Sequence, residues 1–174
     1  MFKLLLITTL FISACFPIRW THPTIMSFND QLLPTYVCAN VPSEQFDAVK
    51  IAFEEWNVAL ALWKRFVVVK DVQSGCSYFV NETKINQCSG DSAIACANEI
   101  GGNTIFLNYG KYEKATKNIV MHEIAHTLGA QHVSDTLMNE TYDKYTYECP
   151  DVTTVAQVAA YNRLNLATLS WCYR

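Results

Sequence analysis

The spacing of apolar residues predicts a long amphipathic helix that begins near Ser43. From this residue onward, apolar side chains recur every three or four positions and charged residues occupy the opposite side. The apolar positions are Phe46, Val49, Phe53, Trp56, Leu60 and Trp63. Because Ser is a favoured N-cap residue, the pattern predicts a helix of about five turns that starts at Ser43. The aromatic stripe favours core packing over a ligand platform.

Short apolar segments on both sides of this helix predict β-strands. One covers residues 35–38, and three more cover residues 66–69, 77–80 and 103–107. Gly101 and Gly102 predict a turn before the last of them. The polar stretch 84–98 contains two cysteines and predicts a loop held by a disulfide.

Two further helices complete the pattern. The first is expected over residues 114–128. Asp151 can cap the second, which would carry Val152, Val155, Ala159 and Leu166 on one side. The order of strand, helix, several strands, helix, loop and helix predicts an α+β domain.

Composition narrows the class of protein. The chain has 174 residues, of which 51% are hydrophobic and 17% are charged, which is typical of one folded domain and argues against disorder. The net charge is -3 and no basic stripe is present. We therefore expect no nucleic-acid partner.

The first fourteen residues are typical of an export signal. Lys3 precedes the apolar run Leu4–Ile12, and Ser13 and Ala14 are small. The run is too short to span a bilayer, which needs about 20 residues, and a short buried helix is the less favoured alternative. Residues 12–15 also resemble the bacterial lipobox, with Cys15 as the lipidated first residue of the mature chain. The other reading is that Cys15 is lost with an ordinary signal peptide.

The remaining cysteines predict an oxidising environment. After Cys15 the chain has six, at Cys38, Cys76, Cys88, Cys96, Cys149 and Cys172. An even number in an exported chain predicts disulfides, although six cysteines allow about fifteen pairings and the sequence selects none of them. We expect a periplasmic or cell-surface lipoprotein if the source is bacterial, and a secreted protein otherwise. Any contact with a membrane would be through the lipid on Cys15.

Three of the four histidines fall within residues 122–132, which match H-E-x-x-H-x-x-G-x-x-H at every fixed position. On a helix, His122 and His126 lie one turn apart on the same face and can bind one zinc ion together. Glu123 lies beside them, where it can take a proton from an activated water.

Gly129 allows a third ligand to join this pair. A helix that continued would carry His132 past the metal, whereas glycine readily takes a positive φ and ends helices. Three histidine ligands leave the fourth position of a tetrahedral zinc ion open, as in catalytic rather than structural sites. The sequence thus predicts one catalytic zinc ion held by His122, His126 and His132.

This motif resembles that of the metzincin zinc proteases, whose signature adds a downstream Met-turn. Met138 is the matching residue, and the resemblance implies that it forms an apolar floor beneath the ligands; plain core packing is the alternative. Within the clan the chain is most similar to the matrixins. The resemblance implies a small twisted mixed sheet with an active-site helix and a C-terminal helix, and Tyr142 as a wall of the S1′ pocket.

The matrixin resemblance also implies that substrate binds along an edge strand upstream of the active-site helix. The candidate residues are Asn103, Thr104, Ile105 and Phe106. An extended peptide could add to such an edge through main-chain hydrogen bonds.

These expectations combine into one domain plan and one function. Residues 1–14 would be a lipoprotein-type signal peptide, residues 15–34 a linker, and residues 35–174 a single catalytic domain, which we expect to be monomeric. The function expected is that of an exported zinc endopeptidase with Glu123 as general base. The alternatives are a catalytically silent zinc-binding lipoprotein module, a gluzincin-type protease with a distant glutamate ligand, and an enzyme restricted to one loop of a single partner.

Overall fold

The computed structural model describes residues 32–60, 63–71, 74–84, 86–89, 92–108, 110–112, 116–141 and 147–173. The strands are β1 (Thr35–Asn40), β2 (Phe66–Lys70), β3 (Tyr78–Thr83), β4 (Ala95–Ala97) and β5 (Thr104–Asn108). The helices are α1 (Ser43–Ala59), α2 (Thr116–Thr127) and α3 (Val152–Asn162), and a 3-10 turn follows at Leu166–Thr168.

The five strands form one mixed sheet in the order β2-β1-β3-β5-β4. The first four strands in this order run parallel, with Val37 of β1 aligned between Val68 of β2 and Tyr78 of β3. The last strand, β4, pairs antiparallel with β5 and leaves one edge free. This mixed sheet with its three helices confirms the predicted α+β class.

The first helix anchors the second, which carries the histidines. Its Trp56 is fully buried and donates a hydrogen bond from Nε1 to the backbone oxygen of Met121 at 3.0 Å. The buried ring of Phe53 packs edge-to-face on Phe66 and Tyr78, with centroids 5.1 and 5.5 Å away. The predicted aromatic stripe of α1 is therefore core, and it fixes the residue just before His122.

Several helix details differ from the sequence predictions. Pro42, rather than Ser43, is the N-cap of α1, and it makes no side-chain capping hydrogen bond. Trp63 lies beyond the end of α1 and packs on the core from the following turn. In the last helix Val152 is 43% exposed and Leu166 lies past the end, because Arg163 adopts a left-handed conformation that stops α3.

The N-cap of α3 is as predicted. The side chain of Asp151 accepts hydrogen bonds from the backbone N–H groups of Thr153 and Thr154. On the inner side, Val155 and Ala159 are buried. This helix therefore packs through part of the face that the spacing indicated.

The sequence did not predict strand β4. Its residues Ala95–Ala97 lie inside the stretch 84–98 that was expected to be a loop. Three residues of Ala-Cys-Ala carry no alternating apolar pattern and no β-branched side chain, so periodicity cannot find them. The strand exists because β5 supplies a partner for its backbone.

The six cysteines expected to form disulfides do so. The pairs are Cys38–Cys76, Cys88–Cys96 and Cys149–Cys172. Cys15, the signal segment 1–14 and most of the linker lie outside the described residues, so their roles stay predictions. Among the helices that the structure describes, none has the length and apolar character required to cross a bilayer.

Candidate metal centre

Helix α2 carries two of the three histidines on one face. His122 and His126 are separated by one turn, and their Nε2 atoms lie 3.0 Å apart. Both rings are partly buried. The helix thus aims two imidazole nitrogens at one point, as the spacing predicted.

The turn after α2 brings the third histidine back to that point. Gly129 has a φ of 100°, and its N–H bonds to the carbonyl of His126 while the N–H of Ala130 bonds to the carbonyl of Ala125. This pair of bonds is a Schellman ending, which glycine adopts readily. His132 then approaches so that its Nε2 lies 3.1 Å from Nε2 of His126.

Carbonyl groups fix the protonation of two rings. Nδ1 of His122 lies 2.8 Å from the oxygen of Leu137, and Nδ1 of His126 lies 2.9 Å from the oxygen of Ala130. A carbonyl only accepts, so in the neutral rings the proton sits on each Nδ1. Both Nε2 atoms are therefore left with lone pairs that face each other.

This geometry fits a bound cation. Two lone pairs at 3.0 Å repel unless a positive charge lies between them. A tetrahedral zinc ion with bonds of about 2.0–2.1 Å would hold its nitrogen ligands roughly 3.3 Å apart, close to the observed separations. The ligand atoms of His122, His126 and His132 all lie within 4.8 Å of one another.

Burial keeps the rings of His122 and His126 neutral. Removal from water, with a smaller contribution from the charge on His126, lowers the pKa of His122 to about 4. Burial also lowers the pKa of His126. A neutral imidazole is the form that binds zinc.

Glu123 lies next to the ligands and faces the same cleft. It is 6% exposed, and the backbone N–H of Ala97 in β4 donates to its carboxylate. Its other oxygen, Oε2, has no hydrogen-bond partner among the described residues. Burial raises the pKa of Glu123 to about 8, which means that its carboxylate binds a proton more tightly than usual. Glu123 thus combines an acceptor oxygen without a partner and a raised proton affinity.

The loop that contains Met138 is hydrogen-bonded to His122 and to the residue that follows His132. Leu137 accepts the hydrogen bond from His122, and the oxygen of Met138 accepts one from the N–H of Val133 at 2.9 Å. Met138 itself is fully buried. The structure thus places this residue next to the site, while its role as an apolar floor stays a prediction.

The expected substrate strand is not an edge. Residues 104–108 form β5, which is hydrogen-bonded to β3 on one side and to β4 on the other. Ile105 is fully buried, and Asn103 donates its side-chain amide to the backbone of Ser77. The expectation that Asn103, Thr104, Ile105 and Phe106 lie on an edge is wrong, because the unpredicted β4 covers that side. Tyr142 lies outside the described residues.

One of the two edge strands of the sheet is β4, which borders the candidate metal site. Ladder hydrogen bonds join Ile94 to Asn108 and Asn98 to Thr104. In an antiparallel ladder alternate residues point their main-chain groups outward, which here are Ala95 and Ala97. The backbone N–H of Ala97 donates to Glu123. The sequence did not predict this role, because it belongs to the main chain and the small apolar side chain of Ala97 gives no signal of it.

A cleft of about 720 Å³ joins these parts. Its lining includes β4, the cysteines of the Cys88–Cys96 disulfide, and the loop that contains Leu137 and residues 139–141. The three histidines and Glu123 also line it. The arrangement presents a candidate cation site and a buried base within reach of a groove.

Comparison with known proteins agrees at the level of the fold. No protein-family model matches the chain, and no curated protein matches it either. Among solved structures, the fold is similar to that of archaemetzincin from Methanopyrus kandleri. The TM-score is 0.55 at 10% sequence identity, and the match covers 78% of this chain and 98% of that chain. The chain has a metzincin-like fold with a three-histidine group that can hold a metal ion.

Proposed function

We propose that this chain is a zinc endopeptidase in which His122, His126 and His132 bind the ion and Glu123 is the general base. The observation that carries the proposal is the convergence of three Nε2 atoms beside a buried carboxylate with a free oxygen. When bound, zinc would polarise the scissile carbonyl and activate water as a nucleophile.

The residues of the chain would divide the remaining work. The free Oε2 of Glu123 can accept a proton from the attacking water and pass it to the leaving amine. Burial raises the pKa of Glu123 to about 8 in the metal-free chain, and the positive charge of a bound zinc ion would lower it, so that the carboxylate could accept the proton near neutral pH. The hydrogen bond from Ala97 holds the other oxygen in place.

The free edge of β4 would bind the substrate. The outward groups of Ala95 and the carbonyl of Ala97 can pair with an extended peptide, as in other strand-addition complexes. This proposal transfers the binding role from residues 103–106 to residues 95–97. A matrixin-like arrangement, with Tyr142 at the S1′ wall, remains part of the proposal and is supported by the motif and Met138.

An exported location is proposed on chemical grounds. Three disulfides persist in oxidising compartments and are rare in the cytosol. The signal-like residues 1–14 point the same way. Lipidation of Cys15 would anchor the chain at a membrane surface.

The experiment is a zinc determination together with cleavage of a quenched peptide library, for the wild-type chain and for Glu123→Ala. We expect one zinc per chain in both proteins, and a loss of at least about two orders of magnitude in rate for the variant. A hydroxamate should inhibit the wild-type chain. Zinc without turnover in either protein would favour a silent binding module, and a variant with near-normal turnover would refute the role of Glu123.

A further inference from the structure

The third histidine is held differently from the other two. His122 and His126 each donate from Nδ1 to a backbone oxygen. For His132, an exposed residue, the only ring hydrogen-bond contact within the described part of the chain is with Nε2 of His126. Its direction toward the metal point must therefore come from the main chain on either side of it.

That main chain is clamped by a glutamine of α3. Oε1 of Gln157 accepts the N–H of Gln131 at 3.0 Å, and Nε2 of Gln157 donates to the carbonyl of Gln131 at 3.2 Å. The planar amide thus presents one donor and one acceptor to a single residue, as a neighbouring β-strand would. On the other side of His132, the N–H of Val133 bonds to the oxygen of Met138.

We propose that Gln157 is a positioning residue for the third metal ligand. By pairing with both main-chain groups of Gln131, it fixes the backbone that carries His132 after the turn at Gly129. The inference rests on the proposed metal site and does not depend on peptidase activity. Neighbouring Asn162 acts elsewhere, because its amide donates to the carbonyl of Leu128 at 2.8 Å, before the turn.

The test is a double-variant cycle on zinc affinity. Gln157→Met keeps the length of the side chain and removes both hydrogen bonds. We expect it to weaken zinc binding by about 10–100-fold, the usual effect of losing a partner that orients a ligand. Affinity is measured by competition with a chromophoric chelator.

The same substitution in a His132→Ala background should have no further effect, because Gln157 acts only through His132. A general structural role would instead weaken binding equally in both backgrounds, and this outcome would overturn the proposal. Unchanged affinity in Gln157→Met alone would also overturn it. Thr153→Ala, an exposed position on the same helix, is the control and should leave affinity unchanged.

A second readout uses the metal-free protein. The amide of Gln131 is protected from hydrogen exchange if Gln157 holds it, so Gln157→Met should speed its exchange while amides of α2 keep their protection. Equal exchange at Gln131 in both proteins would refute the clamp. If the wild-type chain binds no zinc, the metal site and this inference fail together; if the cycle holds but no peptide is cleaved, only the proposed function fails.

Discussion

Asp151 and Leu137 are joined by a hydrogen bond of 2.9 Å, from the backbone N–H of Leu137 to carboxylate Oδ2 of Asp151. The same carboxylate caps α3 through Thr153 and Thr154. Since the carbonyl of Leu137 accepts from His122, one aspartate connects the start of α3 to this candidate metal ligand through a single residue.

This connection predicts that Asp151→Ala loses stability and zinc affinity together. Loss of the cap should cost about 1 kcal/mol of unfolding free energy, and the unpaired N–H of Leu137 should add about 1–3 kcal/mol. Asp151→Asn separates the two effects, because its oxygen can still cap α3 while its NH₂ group cannot accept from Leu137. We expect the Asn variant to recover stability in part and to remain weaker in zinc binding. Chemical denaturation and chelator competition measure the two quantities.

Asn165→Ala provides the matched control for Asp151. Asn165 caps the 3-10 turn by accepting from the N–H of Ala167, and the hydrogen bonds of its side chain do not involve the metal site. Its loss should reduce stability modestly and leave zinc affinity as in the wild type. Equal zinc affinity in Asp151→Asn and the wild type would contradict the link through Leu137.

The buried Glu123 makes a prediction about pH. Its pKa rises from 4.5 in the unfolded chain to about 8 in the folded protein, so the folded state binds more protons between these values. The stability of the metal-free protein should therefore fall as pH rises from about 5 to 8. Glu123→Gln cannot ionise and should lack this fall, with a difference of up to a few kcal/mol, since one pKa unit corresponds to about 1.4 kcal/mol.

The measurement is urea denaturation of both proteins with a chelator present, across that range of pH. His122 contributes with the opposite sign, because its lowered pKa makes stability rise with pH between about 4 and 6.5. This contribution is common to both proteins and cancels in the comparison. If the unfolding free energies of the wild type and Glu123→Gln varied with pH in the same way, the raised pKa of Glu123 would be refuted.

Gly129 is predicted to resist substitution for two separable reasons. Its φ of 100° strains any residue with a Cβ, and the ring of Tyr161 lies where that Cβ would be placed. Gly129→Ala should therefore destabilise the protein and reduce zinc content. Gly75→Ala is a matched control, because its φ is 99° and its Cβ would meet no atom within 4 Å.

We expect Gly75→Ala to lower the stability only through backbone strain. Gly129→Ala should lower it further, because the steric contact with Tyr161 is added to the same strain. Adding Tyr161→Ala to Gly129→Ala should recover the difference between the two in part, because only the steric contact is removed. Thermal unfolding of the four proteins decides this. A Gly129→Ala variant as stable as Gly75→Ala would rule out the contact with Tyr161.

The disulfides are predicted to differ in what they stabilise. Loop-closure entropy predicts that Cys38–Cys76, with a separation of 38 residues, contributes about 4 kcal/mol to the free energy of unfolding. For Cys88–Cys96, with a separation of 8 residues, the predicted contribution is about 2.5 kcal/mol. Paired substitution by Ala should lower the unfolding free energy in that order. Because Cys96 lies in β4 beside the cleft, its removal should raise the KM for peptides more than removal of the longer bridge. The reverse order in KM would argue against substrate binding at β4.

Local patterns in the sequence predict the candidate site residues and most of the helices and strands. His122, Glu123, His126 and His132 could be assigned because a helix places residues i and i+4 on one face and Gly129 can end that helix. The amphipathic α1 and the cap at Asp151 followed from local patterns of the same kind. These features depend on neighbours within a few positions, which periodicity and capping rules describe.

The backbone groups that meet the site are brought there by packing between distant parts of the chain. The edge strand beside the site is β4 rather than residues 103–106, because Ala95–Ala97 pair with β5 through main-chain hydrogen bonds that their small side chains do not signal. The disulfide pairs were equally open in the sequence, since any cysteine can bond with any other until the fold brings two together. The links from Ala97 to Glu123 and from Gln157 to Gln131 likewise join residues 26 positions apart, a separation at which only the packed chain determines proximity.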